Sequence, residues 1–148
     1  MTITVGRLTA RDVTTLDYFE ATPQPDPWVA EVETFLLGPA VRHQIRHGGS
    51  MWVISTGEAP IGLAASSPHP HFAAELLQAF MIDHRHRRQG LARSALEAVL
   101  VAVHRSSPHD NTMWLVHPNN HVMVKLSTSI DPLGGTPTED GYLLFAHP

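Results

Sequence analysis

Residues 79–93 read AFMIDHRHRRQGLAR, and the changes of character within that stretch decide the fold. Ala79, Phe80, Met81 and Ile82 form an unbroken apolar run, as expected of a strand buried on both faces near the centre of its sheet. Asp83 ends the run, and Arg85, Arg87 and Arg88 follow in a loop. Gly90 then stands at the mouth of the clearest helix in the chain, residues 90–105, where Leu91, Ala95, Leu96, Val99, Leu100 and Val103 recur at helical spacing. The first turn of a helix carries unpaired N–H groups and a partial positive charge, which suit a phosphate or diphosphate. Gly90 lets such a group approach the backbone closely, and the small side chain of Ala92 keeps the approach open. With the whole chain at −4 and residues 85–93 at +4, the remainder stands at −8. A cationic spot on an acidic background points to one bound polyanion.

Working outward, residues 3–8 alternate as a first strand, and Thr9 with Asp12 opens a helix running to about Glu20. Residues 21–27, ATPQPDP, form a loop with three prolines. A second helix begins near Trp28, with Val29, Val32 and Leu36 on one face. It is broken at Gly38-Pro39 and resumes through Val41 and Ile45. Residues 51–56 and 61–66 make a hairpin about the turn GEAP at 57–60. A fourth strand covers 75–83 and another 112–116; a short helix spans 119–128 and a last strand 142–146. The order β-α-α-β-β-β-α-β-α-β predicts an α/β (α+β) fold, a mixed sheet with helices on its faces.

A chain of 148 residues fits one domain, 1–148. The absence of cysteine removes disulfides, thiolate metal sites and a cysteine nucleophile. The phosphate loop G-x-x-x-x-G-K-[ST] and the dinucleotide fingerprint G-x-G-x-x-G are both missing, and Lys125 is the only lysine. The acidic balance argues against nucleic-acid binding. The start, MTITVGRLT, lacks a signal peptide's basic flank and apolar run, and no apolar stretch approaches a membrane span. A cytoplasmic protein is expected.

At residues 87–92 the sequence RRQGLA resembles the [RQ]-x-x-G-x-[GA] acyl-CoA signature of the GNAT superfamily of N-acetyltransferases. Phe80-Met81-Ile82-Asp83 is similar to the strand that precedes it in that family. Val116, Asn120, Met123 and Leu126 follow the spacing of the family's next strand and helix. The resemblance implies the GNAT-type fold with splayed central strands and acetyl-CoA as co-substrate. It implies that backbone groups of Phe80, Met81 and Ile82 bond the pantetheine arm. N–H groups of Arg88, Gln89, Gly90, Leu91, Ala92 and Arg93 would cradle the diphosphate, with Arg87, Arg88 and Arg93 as side-chain phosphate contacts. Asn120 would meet the cofactor near its thiol end. The reaction implied is direct attack of a neutral amine on the thioester, giving an N-acetyltransferase for a small molecule or peptide.

The chain also departs from the pattern. The tyrosine that protonates the leaving thiolate is replaced by Ser127, and Asp131 and Pro132 stand where a glycine-aromatic pair is usual. Ser127 is therefore the candidate acid. Glu75 is the nearest carboxylate on the strand before the signature, with Gln78 on the opposite face, and His121 or His117 is a further candidate base. Trp28 and Phe35 are candidates for the acceptor pocket. Eleven histidines include the pairs 69/71, 84/86 and 117/121, but no carboxylate completes a set and no metal is expected. The missing tyrosine motivates the alternative of a non-catalytic acyl-CoA-binding sensor or regulatory module. Homodimers are frequent among the proteins this chain resembles, but the sequence itself does not specify the oligomeric state.

Overall fold

A computed structural model describes residues 2–57 and 59–148; Glu58, in the expected turn at 57–60, lies outside the described residues. In chain order the elements are β1 (Ile3–Leu8), a 3-10 segment (Ala10–Tyr18), α1 (Pro27–Leu37), α2 (Pro39–Arg46), β2 (Ser50–Thr56) and β3 (Ala59–Pro68). They continue with β4 (Glu75–Ile82), a 3-10 turn (His84–His86), α3 (Ala92–Ser106), β5 (Thr112–Val116), α4 (His121–Ile130), β6 (Thr136–Pro137) and β7 (Leu143–His147). The described strands form one sheet in the order β1-β2-β3-β4-β5-β7-β6. Neighbours are antiparallel except β4 and β5, which are parallel. The apolar strand β4 lies at the centre, and the architecture is the mixed α/β sheet expected.

Local chemistry explains the differences. The helix expected from Thr9 is a 3-10 segment: the Thr9 hydroxyl donates to the Asp12 carboxylate at 2.5 Å and caps no backbone N–H. Val13, Thr14 and Thr15 form a β-branched run that propagates an α-helix poorly. The second helix breaks where expected, because Gly38 is extended and Pro39 starts α2 afresh. Gly90 precedes α3 instead of opening it, with φ of +72°. The two-residue β6 is too short to leave a periodic signal.

Each face of the sheet carries its own core. On one, α3 buries Ala95, Leu96, Val99, Leu100 and Val103 against Trp52, Ile54, Leu77, Ile82, Trp114 and Phe145. On the other, Leu16, Phe19, Leu36 and Val41 cover Met51, Leu63, Ala79 and Met81. Each fully buried aliphatic side chain contributes about 1.5–3 kcal/mol. A bulge in β4 decides which residues face which core. Ala79 pairs with Ala65 but Leu77 pairs with Ser66, so Gln78 is an extra residue. One inserted residue flips the alternation, sending Leu77 to the α3 side and Ala79 to the α1 side.

Candidate active site

The bulge also opens the sheet. β4 and β5 pair through Glu75–Thr112, Leu76–Met113 and Leu77–Trp114, and pairing stops there. A bulged strand bends, and beyond Leu77 the two strands part. Two cavities fill the split. A loop-side cavity of about 400 Å³ is lined by Ile82, Arg87, Ala92, Asn119, His121 and Val122, among others. A bulge-side cavity of about 480 Å³ is lined by residues including Glu31, Phe35, Gln78, Trp114, His117 and Tyr142. Trp28, Val32, Phe80, Asn120 and Met123 line both, so the cavities meet at these residues.

Backbone groups dominate the loop side. The Asp83 N–H donates to the Ile61 carbonyl on β3 at 2.8 Å. Strand alternation then turns Met81 toward β3, and Phe80 and Ile82 toward the split. The Ile82 carbonyl accepts from Arg87 Nε at 2.9 Å. Farther on, Arg88 (φ +63°) and Gly90 (φ +72°) take left-handed backbone conformations. The first bond of the next helix runs from the Ala95 N–H to the Leu91 carbonyl at 2.9 Å, and the N–H groups of residues 88–94 bond no acceptor among the described residues. They form a ready anion cradle.

The arginines serve this cradle differently from their charge count. Arg85 bonds Asp83 (Nη2 to Oδ2 2.7 Å, Nε to Oδ1 3.0 Å) and the Tyr18 carbonyl (2.7 Å), and it lies over the Tyr18 ring. Burial raises the Asp83 pKa, but the hydrogen bonds and charge of Arg85 outweigh it and hold the carboxyl below its ordinary value. Arg87 donates to Thr22 Oγ1 at 3.0 Å and pairs with buried Glu33 at 3.3 Å. Thr22 in turn donates its N–H to Glu33 at 2.7 Å and its hydroxyl to the same carboxylate. Arg93 pairs with Glu97 at 2.8 Å. Arg88 alone of the four has no acidic partner among the described residues. Arg87, expected to contact phosphate, instead ties α1 to the loop.

Side chains dominate the bulge side. His117 stacks on Trp28 (centroids 5.5 Å apart, planes 19° apart) and meets Tyr142 edge-on at 5.7 Å. Its Nδ1 accepts the Asn119 N–H at 3.1 Å, so the neutral ring carries its proton on Nε2. Asn120 caps α4: its Oδ1 accepts the Met123 N–H at 3.2 Å, leaving the NH₂ as donor. Among the described residues, no three His, Asp or Glu side chains converge to hold a metal.

The sequence matches the model of the acetyltransferase (GNAT) family over residues 9–128. The chain belongs to the GNAT acetyltransferase family. No curated protein matches the sequence. Solved structures share the fold at low identity. The ribosomal-protein-S18-alanine N-acetyltransferase of Escherichia coli has a TM-score of 0.66 and 16% identity, over 99% of this chain and 94% of that one. PaiA N-acetyltransferase of Thermoplasma acidophilum, in complex with coenzyme A, has 0.65 and 12%, over 99% and 98%. Aminoglycoside acetyltransferase AAC(6')-Ib, also with coenzyme A, has 0.70 and 14%, over 99% and 94%. Acetyl-CoA is the co-substrate of GNAT acetyltransferases, and the open edge at Phe80 and Ile82 together with the free N–H groups of residues 88–94 fit its pantetheine and diphosphate.

Against that frame several sequence expectations change. Ser127, the candidate acid, is fully buried, accepts the Trp114 indole N–H at 2.9 Å and lines neither cavity. Its hydroxyl satisfies a core tryptophan. Glu75 sits at the start of β4, before the split, where it accepts the Ser107 hydroxyl at 3.0 Å; it also lines neither cavity. His121 lines the loop-side cavity rather than the junction's far side. Met81 lines that cavity too, with its backbone turned to β3. Asn120 and Trp28 line both cavities, and Phe35 lines the bulge-side one. Sequence reasoning missed Glu31 and Tyr142. Tyr142 lies in the turn before β7, far along the chain from the signature, and its scarcity was the one available signal: the chain has two tyrosines.

No described helix is long and apolar enough to cross a membrane.

Proposed function

We propose that this chain is an N-acetyltransferase that passes the acetyl group of acetyl-CoA directly to a primary amine at the junction of the two cavities. The observation that carries this reading is the parting of β4 from β5 after Leu77–Trp114, with cavities on both sides that meet at Phe80 and Asn120. Acetyl-CoA supplies an acyl carbon activated as a thioester. Phe80 and the Ile82 N–H offer the backbone groups for its amide arm, and residues 88–94 offer N–H donors for its diphosphate. The Asn120 NH₂ is a donor at the junction, where it can orient a carbonyl oxygen.

On the acceptor side, aromatic walls hold the amine against the junction, and holding two reactants in register is itself a large part of the rate. Glu31 is the carboxylate positioned to take the amine proton, directly or through water. The Tyr142 hydroxyl replaces Ser127 as the group that returns a proton to the departing thiolate. The test is release of free CoA from acetyl-CoA with a panel of primary amines, with the N-acetyl product confirmed by mass. Release with at least one amine supports the reading. Tight acetyl-CoA binding with no release on any amine contradicts it and leaves the sensor module.

A further inference from the structure

Resting on that reading, we infer that the acceptor is a primary amine with a single positive charge, carried on a flat aromatic or apolar body, and not a polyamine or aminoglycoside. The bulge-side cavity recognises its occupant with one carboxylate and a ring of aromatic surface. Of the fifteen residues that line it, Glu31 alone bears a carboxylate, and none is Lys or Arg. Glu31 is exposed on α1 and joins no ion pair among the described residues. It is therefore available to an incoming ammonium.

The two other acids of α1 and its N-terminal cap are not available to a second one. Glu33, two residues along the same helix, is buried and committed to Arg87 and Thr22. Asp26 lines only the loop-side cavity, which the diphosphate-bearing co-substrate claims. A polycation placed in the outer cavity would match one of its charges and leave the others facing apolar walls, a desolvation loss without return.

The walls suit a planar body. Trp28 and His117 already stack, and Tyr142 closes the corner edge-on; Phe35 and Phe80 supply further aromatic surface in the same cavity. An aryl ring gains from offset or edge contacts with such groups, and an ammonium gains from their faces. The cavity of about 480 Å³ holds a ring with a short amine arm within the range of small-molecule sites. In the reaction the amine nitrogen bonds to the acyl carbon and the carbon–sulfur bond breaks. One proton of the bound ammonium passes to Glu31 and frees the nitrogen lone pair for attack; the second, lost as the amide forms, replaces the proton that the Tyr142 hydroxyl gives to the departing thiolate, which leaves as CoA.

The test is steady-state CoA release by the full chain with 2-phenylethylamine and tryptamine against spermidine and kanamycin, repeated on Glu31→Gln. The inference expects kcat/KM for the aryl amines at least tenfold above both polycations. It also expects a tenfold or greater loss with Glu31→Gln, while acetyl-CoA affinity by calorimetry is unchanged. Preference for spermidine or kanamycin overturns the inference and leaves the acetyl-transfer reaction standing, as does full activity of Glu31→Gln on an aryl amine. Absence of release with every amine overturns the reaction and the inference together.

Discussion

The two cavities that meet at Phe80 and Asn120 are built from different materials. The loop side presents main-chain N–H and C=O groups on the open edge of β4 and before α3, with Arg88 and Gly90 held in left-handed conformations. The bulge side presents side chains gathered from α1, β4, β5 and the turn before β7. A backbone site depends on where the chain goes, so most of its residues tolerate change. A side-chain site depends on which residues arrive, so each one carries specificity. On the proposed reading, the first holds the shared co-substrate and the second the particular acceptor.

Substitution at Gly90 tests the backbone half most severely. A side chain there meets no neighbouring atom, but its φ of +72° is strained for any β-branched residue. Gly90→Val should weaken acetyl-CoA binding by about a hundredfold in calorimetry, roughly 2.7 kcal/mol, with the fold intact by circular dichroism. Unchanged affinity would erase the distinction between the two halves. On the other side, Tyr142→Phe should lower kcat by about tenfold to a hundredfold and leave acetyl-CoA affinity where it was. A loss confined to affinity would place Tyr142 with the co-substrate instead.

Glu33 joins the halves, since it anchors Arg87 and Thr22 from α1. Removing one member of a buried ion pair can lose 3–5 kcal/mol, but Arg87 is about one-third exposed. Glu33→Gln should therefore lose about 1–2 kcal/mol, read as a melting point lower by about 3–7 °C. Asp83 adds a pH signature. Its folded pKa lies below the ordinary carboxylate value because Arg85 outweighs burial, so its stabilisation is complete above about pH 4. That stabilisation disappears as pH falls through the folded value. Wild type should melt above Asp83→Asn at neutral pH, and the gap should close on acidification. The smallest effect belongs to Arg93, whose exposed pair with Glu97 is worth about 0.3–0.5 kcal/mol. Arg93→Ala should shift the melting point by about 1–2 °C; a larger shift would mean that this arginine organises the cradle.

The same contrast explains what could be read from residues alone. The stretch 79–93 and the stripe on α3 report main-chain geometry, and they located the central strand, the loop and the helix within a few residues. Gly90 pointed to a close backbone approach, and the structure adds that it takes a left-handed conformation. The arginines misled because charge counted along a chain ignores partners that arrive from elsewhere: Glu33 is 54 positions from Arg87. Ser127 misled for a related reason. Its place in the spacing suggested chemistry, while the buried Trp114 indole, from a neighbouring strand, claims its hydroxyl. Tyr142 and Glu31 come from segments more than a hundred residues apart, and only the folded sheet puts them on one cavity.

Amide hydrogen exchange, with and without acetyl-CoA, examines the backbone half residue by residue. The N–H groups of residues 88–94, together with those of Phe80 and Ile82, should slow markedly on addition of the thioester, while the turn at Tyr142 changes little. Binding that leaves residues 88–94 exchanging at their free rate would contradict the assignment of the diphosphate to that cradle.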